Sequence, residues 1–369
     1  MPRSRAAPSR PYPPMEARAS TELPPGEGWQ FEPKWDGFRC LLFRDDGDVR
    51  LQSRSGQPLE RYFPELQAAA LALRAKRCVL DGEIILLGKD GLQFDQLLQR
   101  IHPAVSRVTR LAREHPARLV VFDLLVDQRG TVLVERPLRD RRRRLERFAQ
   151  RFLARQPRFA LSPATTSRAI AERWRRHARS GLDGVMAKRL DAAYASGERS
   201  AMVKVKRRRT ADCVVGGFRL AARGEVIGSL LLGLYDAAGL LHHVGFTSSL
   251  PLAERRALTP RLWAERHPPG FTGRAPGGPS RWSHESREWH PLRPELVVEV
   301  EFDHSSGGRF RHGTRFLRWR PDKAARQCRL DQLDEGAGGA ARLLQSGGGA
   351  RPRRATGVQR SRRAPGRPR

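Results

Sequence analysis

The chain has 369 residues, a formal net charge of +31 and a sequence pI near 11.5, which is length enough for two or three domains with a core in each. Its 70 basic residues against 39 acidic ones create a field that gathers polyanions, and nucleic acid offers the most phosphate charge. A membrane span is excluded because no run of about 18 apolar residues occurs; the start MPRSRAAPSRPYPP lacks the apolar centre of a secretory signal, and the widely separated Cys40, Cys78, Cys213 and Cys328 suit reduced thiols in the cytosol.

Residues 1–22 are rich in Pro, Arg and Ser without periodicity and read as a disordered basic lead-in. From Gln30 to Ser53 the pattern predicts a hairpin, with strands Phe38 to Phe43 and Val49 to Gln52 around the turn Asp45-Asp46-Gly47-Asp48. Lys34 is expected just before its first strand. Residues 60–76 have helical spacing, and Cys78 to Leu87 predicts a buried strand interrupted by Asp81, Gly82 and Glu83. Leu119 to Val126 repeats that pattern around Asp123. Buried acids are costly without partners, and Asp81 and Asp123 are expected to bond backbone groups. The run Arg141 to Arg144 reads as a solvated helix face. Short strands at Gly184 to Lys188 and Met202 to Val205 complete an α+β domain over residues 23–209.

Residues 210–330 hold five strand-like runs, CVVGGFR, SLLLGLY, LLHHVGF, ELVVEVEF and FRHGTRFLRW, with a helical insertion at about 251–266. That pattern suits a small closed all-β barrel of the oligonucleotide-binding (OB) type. His242 and His243 read as strand surface, and 267–294, rich in Gly, Pro and Trp, as an exposed loop. Residues 331–369 read as a disordered Arg/Gly/Pro-rich tail; after Glu335 it has nine arginines and no acid, a composition for loose phosphate binding.

Only seven of the 70 basic residues are lysine. Arginine serves equally for phosphate attraction, but it stays protonated and cannot attack as an amine. Each retained lysine is therefore informative, and five fall in short motifs: Lys34 in KWDG, Lys188 in DGVMAKR, Lys204 and Lys206 in MVKVK, and Lys323 in RWRPDK.

These motifs resemble, in order, those of the covalent nucleotidyltransferase superfamily of ATP-dependent DNA ligases, RNA ligases and messenger-RNA capping enzymes. KWDG resembles the nucleophile motif, SRSG the loop after it, LDGEII the third motif, VVFDLL the aromatic strand, DGVMAK the fourth, MVKVK the fifth and RFLRWRPDK the sixth. A lone K-x-D-G is weak evidence, whereas seven motifs in order are specific. RTADCVVGGFR, GSLLLGLYD and the RWRPDK ending look like the small bacterial ligases related to the ligase module of end-joining enzymes. The resemblance implies an ATP-grasp-like adenylation domain followed by a mobile OB barrel. It implies ATP and Mg²⁺, or Mn²⁺, as cofactors, and nicked double-stranded DNA as substrate. It further implies DNA-repair or end-joining proteins as partners, and a monomer in the bacterial cytosol beside the nucleoid. RNA ligase, capping-type nucleotidyltransferase and a non-enzymatic basic DNA-binding protein remain the alternatives.

By the same resemblance Lys34 is the nucleophile, Glu32 and Phe122 hold the adenine, Arg39 and Glu83 the ribose, and Arg54 the phosphate side. Lys204 and Lys206 hold the α-phosphate, and Arg320 and Lys323 of the last motif complete the nucleotide contacts. Glu83 and Asp183 are the metal-associated acids. Asp183 stands where the family usually has Glu, one methylene shorter, and Met202 stands where Trp is common.

Overall fold

The computed structural model describes residues 10–89, 91–176, 182–221, 226–277, 288–333 and 339–346. Two sheets form the first half of the chain. One has the order Arg18–Ser20, Met202–Lys206, Leu182–Arg189, Trp29–Trp35. Strand alternation gives this sheet two unlike faces. Phe31, Val185, Ala187, Val203 and Val205 bury against Ala171 of the helix Arg168–Arg176. The intervening residues Glu32, Lys34, Met186, Lys188 and Lys204 turn to the opposite side, where they line a cavity.

The other sheet has the order Asp48–Ser53, Phe38–Asp45, Arg77–Ile85, Arg118–Val126, Phe159–Leu161. Cys40, Leu42, Leu51, Leu80, Ile84, Leu119 and Val121 pack with Leu66 of the helix Pro64–Leu71 and with Leu145 and Phe148 of the helix Leu138–Phe148. Its other face carries Arg39 opposite Glu83, and Asp81 opposite Asp123. The cavity lies between the polar faces of the two sheets.

The barrel is a continuous antiparallel ladder of Leu241–Thr247, Ile227–Tyr235, Arg209–Leu220, Val297–Phe302 and Arg315–Trp319. Its two outer strands meet: Thr314 N donates to Phe246 O at 3.0 Å and Thr247 Oγ1 to Thr314 O at 2.9 Å. Closure satisfies backbone groups that an open edge would expose. The architecture is thus α+β, two facing sheets with flanking helices followed by an OB-type barrel, and among the described residues no helix is long and apolar enough to cross a membrane.

Several expectations are corrected. The lead-in is ordered from residue 10 onward: Met15 is buried, and Arg18–Ser20 extends the first sheet parallel to Met202–Lys206. Residues 1–9 lie outside the described residues. Lys34 does stand just before the first strand of the hairpin, but it also belongs to a strand of its own, in the other sheet. The helix expected over 60–76 is a single turn at Glu60–Tyr62 and then Pro64–Leu71, Pro64 taking the first helical position, where its missing N–H costs nothing. In FRHGTRFLRW only Arg315–Trp319 joins the barrel, while Arg309–Phe310 folds back on Ser305–Ser306 as a small hairpin. Within 267–294, Phe271 and Leu292 enter the barrel core and His290–Pro291 pairs with Arg209–Leu220; residues 278–287 lie outside the described residues. His243 is buried, and burial with Arg309 and Arg219 nearby pushes it down to about 3. In the tail, the helix Gly339–Ser346 packs Ala340, Leu343 and Leu344 against Trp35, Ile85 and Leu182, while 347–369 lie outside the described residues.

The buried acids take arginine partners that the expectation did not include. Asp81 accepts both arms of Arg39 at 2.6 Å and the Tyr194 hydroxyl at 2.6 Å. Asp123 accepts a backbone group as expected, Leu124 N at 2.9 Å, and in addition Nε and Nη2 of Arg141, each at 2.9 Å. Arg141 is therefore buried rather than solvated, and Arg142 beside it is buried too.

Candidate active site

KWDG is the corner at which the chain leaves one sheet and enters the other. Lys34 is the last residue but one of the strand Trp29–Trp35, Asp36-Gly37 turn, and Phe38 starts the next. Gly37 passes so close to the Ile84 carbonyl that a Cβ would stand 2.0 Å from its oxygen, so only glycine lets the two sheets share this corner. A second irregularity faces it: the register of Leu182–Arg189 slips between Leu182 and Gly184, and Gly184 has φ +140° with Val205 O 2.2 Å from any added Cβ. This bulge turns Asp183 inward. Asp183 Oδ2 then accepts from Lys34 Nζ at 2.5 Å, with Lys206 Nζ at 3.7 Å.

The cavity of about 850 Å³ is lined by Lys34, Glu32, Arg39, Arg54, Glu83, Phe122, Lys188 and Lys204, among others. Glu32 accepts Lys188 Nζ at 2.9 and 3.0 Å and Gln30 Nε2 at 2.7 Å. Phe122 lies under two cations, with Arg39 at 4.6 Å and Lys188 at 4.3 Å from its ring centre. Burial pushes the Glu83 carboxyl up to about 7, against the pull of Arg39 and Lys34. Lys204 is held below the usual lysine range by burial first, then by the charges of Lys34, Lys206, Arg199 and Arg54. It has no carboxylate ion-pair partner among the described residues. A cavity holding unneutralised cations is built for an anion.

Of the sequence-predicted residues, Lys34, Glu32, Arg39, Arg54, Glu83, Phe122 and Lys204 line this one cavity, and Asp183 meets it through Lys34. Lys206 is turned toward the barrel, 2.8 Å from Asp303 Oδ2. Arg320 and Lys323 do not line the cavity; Asp212 on the barrel holds them at 2.7 and 3.4 Å. Instead the segment around the small hairpin docks at the corner, with Arg311 Nη1 2.5 Å from Asp36 Oδ2 and its guanidinium 3.7 Å from the Phe94 ring centre. Sequence reasoning missed the Lys188–Glu32 pair, although the scarcity of lysine had marked Lys188. It also missed Met15, Glu16 and Arg18, which line the cavity from the N-terminal segment.

A divalent metal fits this donor set in a limited way. Asp183 Oδ1 is buried without a partner, yet no cluster of three metal-ligating side chains exists among the described residues. That suits an ion held by one or two carboxylates, water and substrate phosphates, as Mg²⁺ is in phosphoryl-transfer sites.

The sequence profile of the ATP dependent DNA ligase domain matches residues 17–206, and that of the ATP dependent DNA ligase C terminal region matches residues 223–323. The chain is 46% identical over 345 residues to DNA ligase C2 of Mycolicibacterium smegmatis, covering 88% of this chain and 94% of that protein. It is 43% identical over 344 residues to DNA ligase C of Mycobacterium tuberculosis, with the same coverages. To the multifunctional non-homologous end joining DNA repair protein LigD of Mycobacterium tuberculosis it is 33% identical over 299 residues, or 80% of this chain and 36% of that longer one. A solved structure described as Pmar-Lig_PreS3 shares the fold at a TM-score of 0.55 and 18% identity, over 80% of this chain and 64% of that one. The lysine corner, the anion-holding cavity and these matches lead to one identification: this chain belongs to the ATP-dependent DNA ligases.

Proposed function

We propose that the chain seals 5′-phosphate/3′-hydroxyl nicks in duplex DNA during repair, through AMP carried on Lys34. One observation carries the assignment of the nucleophile: Lys34 lines the cation-rich cavity with its Nζ 2.5 Å from Asp183 Oδ2. A nick does not react unaided because its phosphate has no leaving group, and adenylation supplies one. In the first step Nζ, having given up a proton within reach of Asp183, bonds to the α-phosphorus of ATP and pyrophosphate departs. In the second, the 5′-phosphate oxygen takes the AMP and the Nζ–P bond breaks. In the third, the 3′-hydroxyl bonds to that 5′-phosphorus and AMP leaves. Each step is a phosphoryl transfer in which position and charge neutralisation dominate.

The residues divide these tasks. Glu32, fixed by Lys188 and Gln30, meets the adenine edge and Phe122 its face. Arg39, braced by Asp81, and Glu83 hold the ribose. Arg54 and Lys204 face the phosphates, and Lys206 joins them once freed from Asp303. Arg320 and Lys323 reach the pyrophosphate only when the barrel turns its other side to the cavity. Glu83 and Asp183 are the acids for the metal, which supplies neutralisation of phosphate charge when bound. The chain through residue 209 serves as the adenylation unit and 210–330 as the DNA-closing barrel. A monomer in the bacterial cytosol remains what the sequence resemblance implies, and the match to a multifunctional non-homologous end joining DNA repair protein favours an end-joining setting.

Labelled ATP and a denaturing gel test this reading, alongside sealing of a nicked duplex. Wild type should form an acid-labile AMP adduct, and Lys34→Arg, which keeps the charge, should form none. Normal adduct in Lys34→Arg would remove the assignment.

A further inference from the structure

Ile101 and Val105 are 44% and 72% exposed, Val105 being the most exposed large apolar side chain among the described residues. Ile101 lines the cavity that contains Lys34. The helix Val105–Glu114 turns Val108 and Ala112 inward, so nothing in the fold requires Val105 to stand outside. Nor is their exposure the accident of a loose loop. Arg100, itself buried, ties the root of the segment to Tyr62 O at 2.7 Å, Glu65 Oε2 at 2.8 Å and His115 O at 3.4 Å. Ala104 N donates to His102 Nδ1 at 3.1 Å, and Arg61 Nη2 to Pro103 O at 3.1 Å. A buried arginine and a chain of local hydrogen bonds thus hold two branched apolar side chains outward.

From this geometry we infer that Ile101 and Val105 form an apolar contact with the DNA beside the nick. The inference rests on the ligase reading above. Sealing requires the 5′-phosphate to reach the AMP on Lys34, so the duplex must lie across the mouth where Ile101 stands. Charge complementarity names the same occupant: Arg54 at the cavity and Arg107, Arg110 and Arg113 on the helix have no carboxylate ion-pair partner among the described residues. Phosphates meet the arginines, while sugar and base edges between them present apolar surface to Ile101 and Val105. Apolar side chains at base steps are an established way of gripping a deformable duplex, and a nick is such a point.

The contact differs from the arginines in its salt dependence. Replacing an arginine that neutralises a phosphate reduces the slope of log affinity against log salt by about one. Removing an apolar contact weakens binding equally at every salt concentration.

Full-length Ile101→Ser, Val105→Ser and Ile101→Leu should be compared in single-turnover sealing of a pre-adenylated nicked duplex at two salt concentrations. Self-adenylation with labelled ATP reports both folding and the first step. The serine variants should need about fivefold to tenfold more DNA for half-maximal rate, with an unchanged salt slope and unchanged ATP dependence, while leucine restores wild-type behaviour. Unchanged DNA dependence in both serine variants overturns the contact. A raised ATP requirement with DNA dependence intact overturns it equally, because it places Ile101 over the nucleotide. A wild-type chain that sealed no nicked duplex would overturn the ligase reading and this contact together, whereas normal wild-type sealing matched by the variants overturns the contact alone.

Discussion

Replacing Arg141 with methionine separates the buried member of an arginine run from its solvated neighbours. Arg141 and Asp123 have side chains 1% and 2% exposed and share two 2.9 Å hydrogen bonds, while Nη1 also serves Arg136 O at 2.6 Å and Ala192 O at 3.1 Å. Asp81 lies directly across the sheet from Asp123 and already holds both arms of Arg39, so Arg39 is not free to replace Arg141 as the partner of Asp123. Arg141→Met therefore leaves a buried carboxylate uncompensated, a loss of about 3–5 kcal/mol. For a domain of this size that lowers Tm by roughly 6–20 °C, at about 2–4 °C per kcal/mol. Arg143, on the same helix with its side chain 76% exposed, provides the control, and Arg143→Met should change stability by less than about 0.5 kcal/mol. Adding Asp123→Leu to Arg141→Met should recover most of the loss, since removing both charges avoids the orphaned one. Calorimetry of the four proteins decides the matter, and equal Tm values for Arg141→Met and Arg143→Met would refute the reasoning.

Three further outcomes follow from the site. Because burial raises the Glu83 carboxyl to about 7, the folded chain holds this proton more tightly than the unfolded chain, and its contribution to stability declines as pH rises from about 4.5 to 7. The ionised form accepts ribose hydroxyls best, so the KM for ATP in self-adenylation should fall as pH rises from 6 to 8, and Glu83→Gln should flatten that profile. Lys323→Ala should lose self-adenylation yet still seal a pre-adenylated nick, while Lys204→Ala impairs both; single-turnover assays distinguish them, and equal loss of both activities in Lys323→Ala would exclude a role confined to the first step. Truncation after Glu335 should flatten the salt dependence of DNA affinity by removing nine arginines and also lower Tm by uncovering Trp35, Ile85 and Leu182; Leu344→Ser should lower Tm alone.

Much of the site was legible because chemistry restricts residue choice more tightly than packing does. Scarcity of lysine marked Lys34, Lys188 and Lys204, and the order of short motifs supplied the rest. Pairings between distant segments were not legible. Nothing local distinguishes Arg141 from Arg143, and only the register of Arg118–Val126 against the helix Leu138–Phe148 selects the one that meets Asp123. Glu32 and Lys188 are 156 positions apart and become partners only through the pairing of their strands. The segment before residue 23 was missed because a three-residue strand has no readable period, and its anchors, Met15 N to Tyr194 Oη and Arg39 Nη2 to Met15 O, come from residues far along the chain. The helix Gly339–Ser346 escaped notice because its eight residues, only about two turns, lie between runs of glycine.

The barrel cannot serve the corner and the nucleotide with the same surface. In the arrangement described, Arg311 and His304 face Asp36 at 2.5 and 3.7 Å, Asp303 holds Lys206 at 2.8 Å, and Ser306 bonds Asp95. Arg320 and Lys323 meanwhile face Asp212 within the barrel itself. On the roles proposed above, bringing Lys323 to departing pyrophosphate would require Arg311 and Asp303 to release the adenylation domain, and that release would free Lys206 for the α-phosphate. Of the charges that dock the barrel in this arrangement, Lys206 is the one that the proposed chemistry also uses. Partly exposed ion pairs of this kind contribute only about 1 kcal/mol each, so if Lys204, Lys206 and Lys323 take the triphosphate as proposed, ATP binding should shift the balance between the two positions.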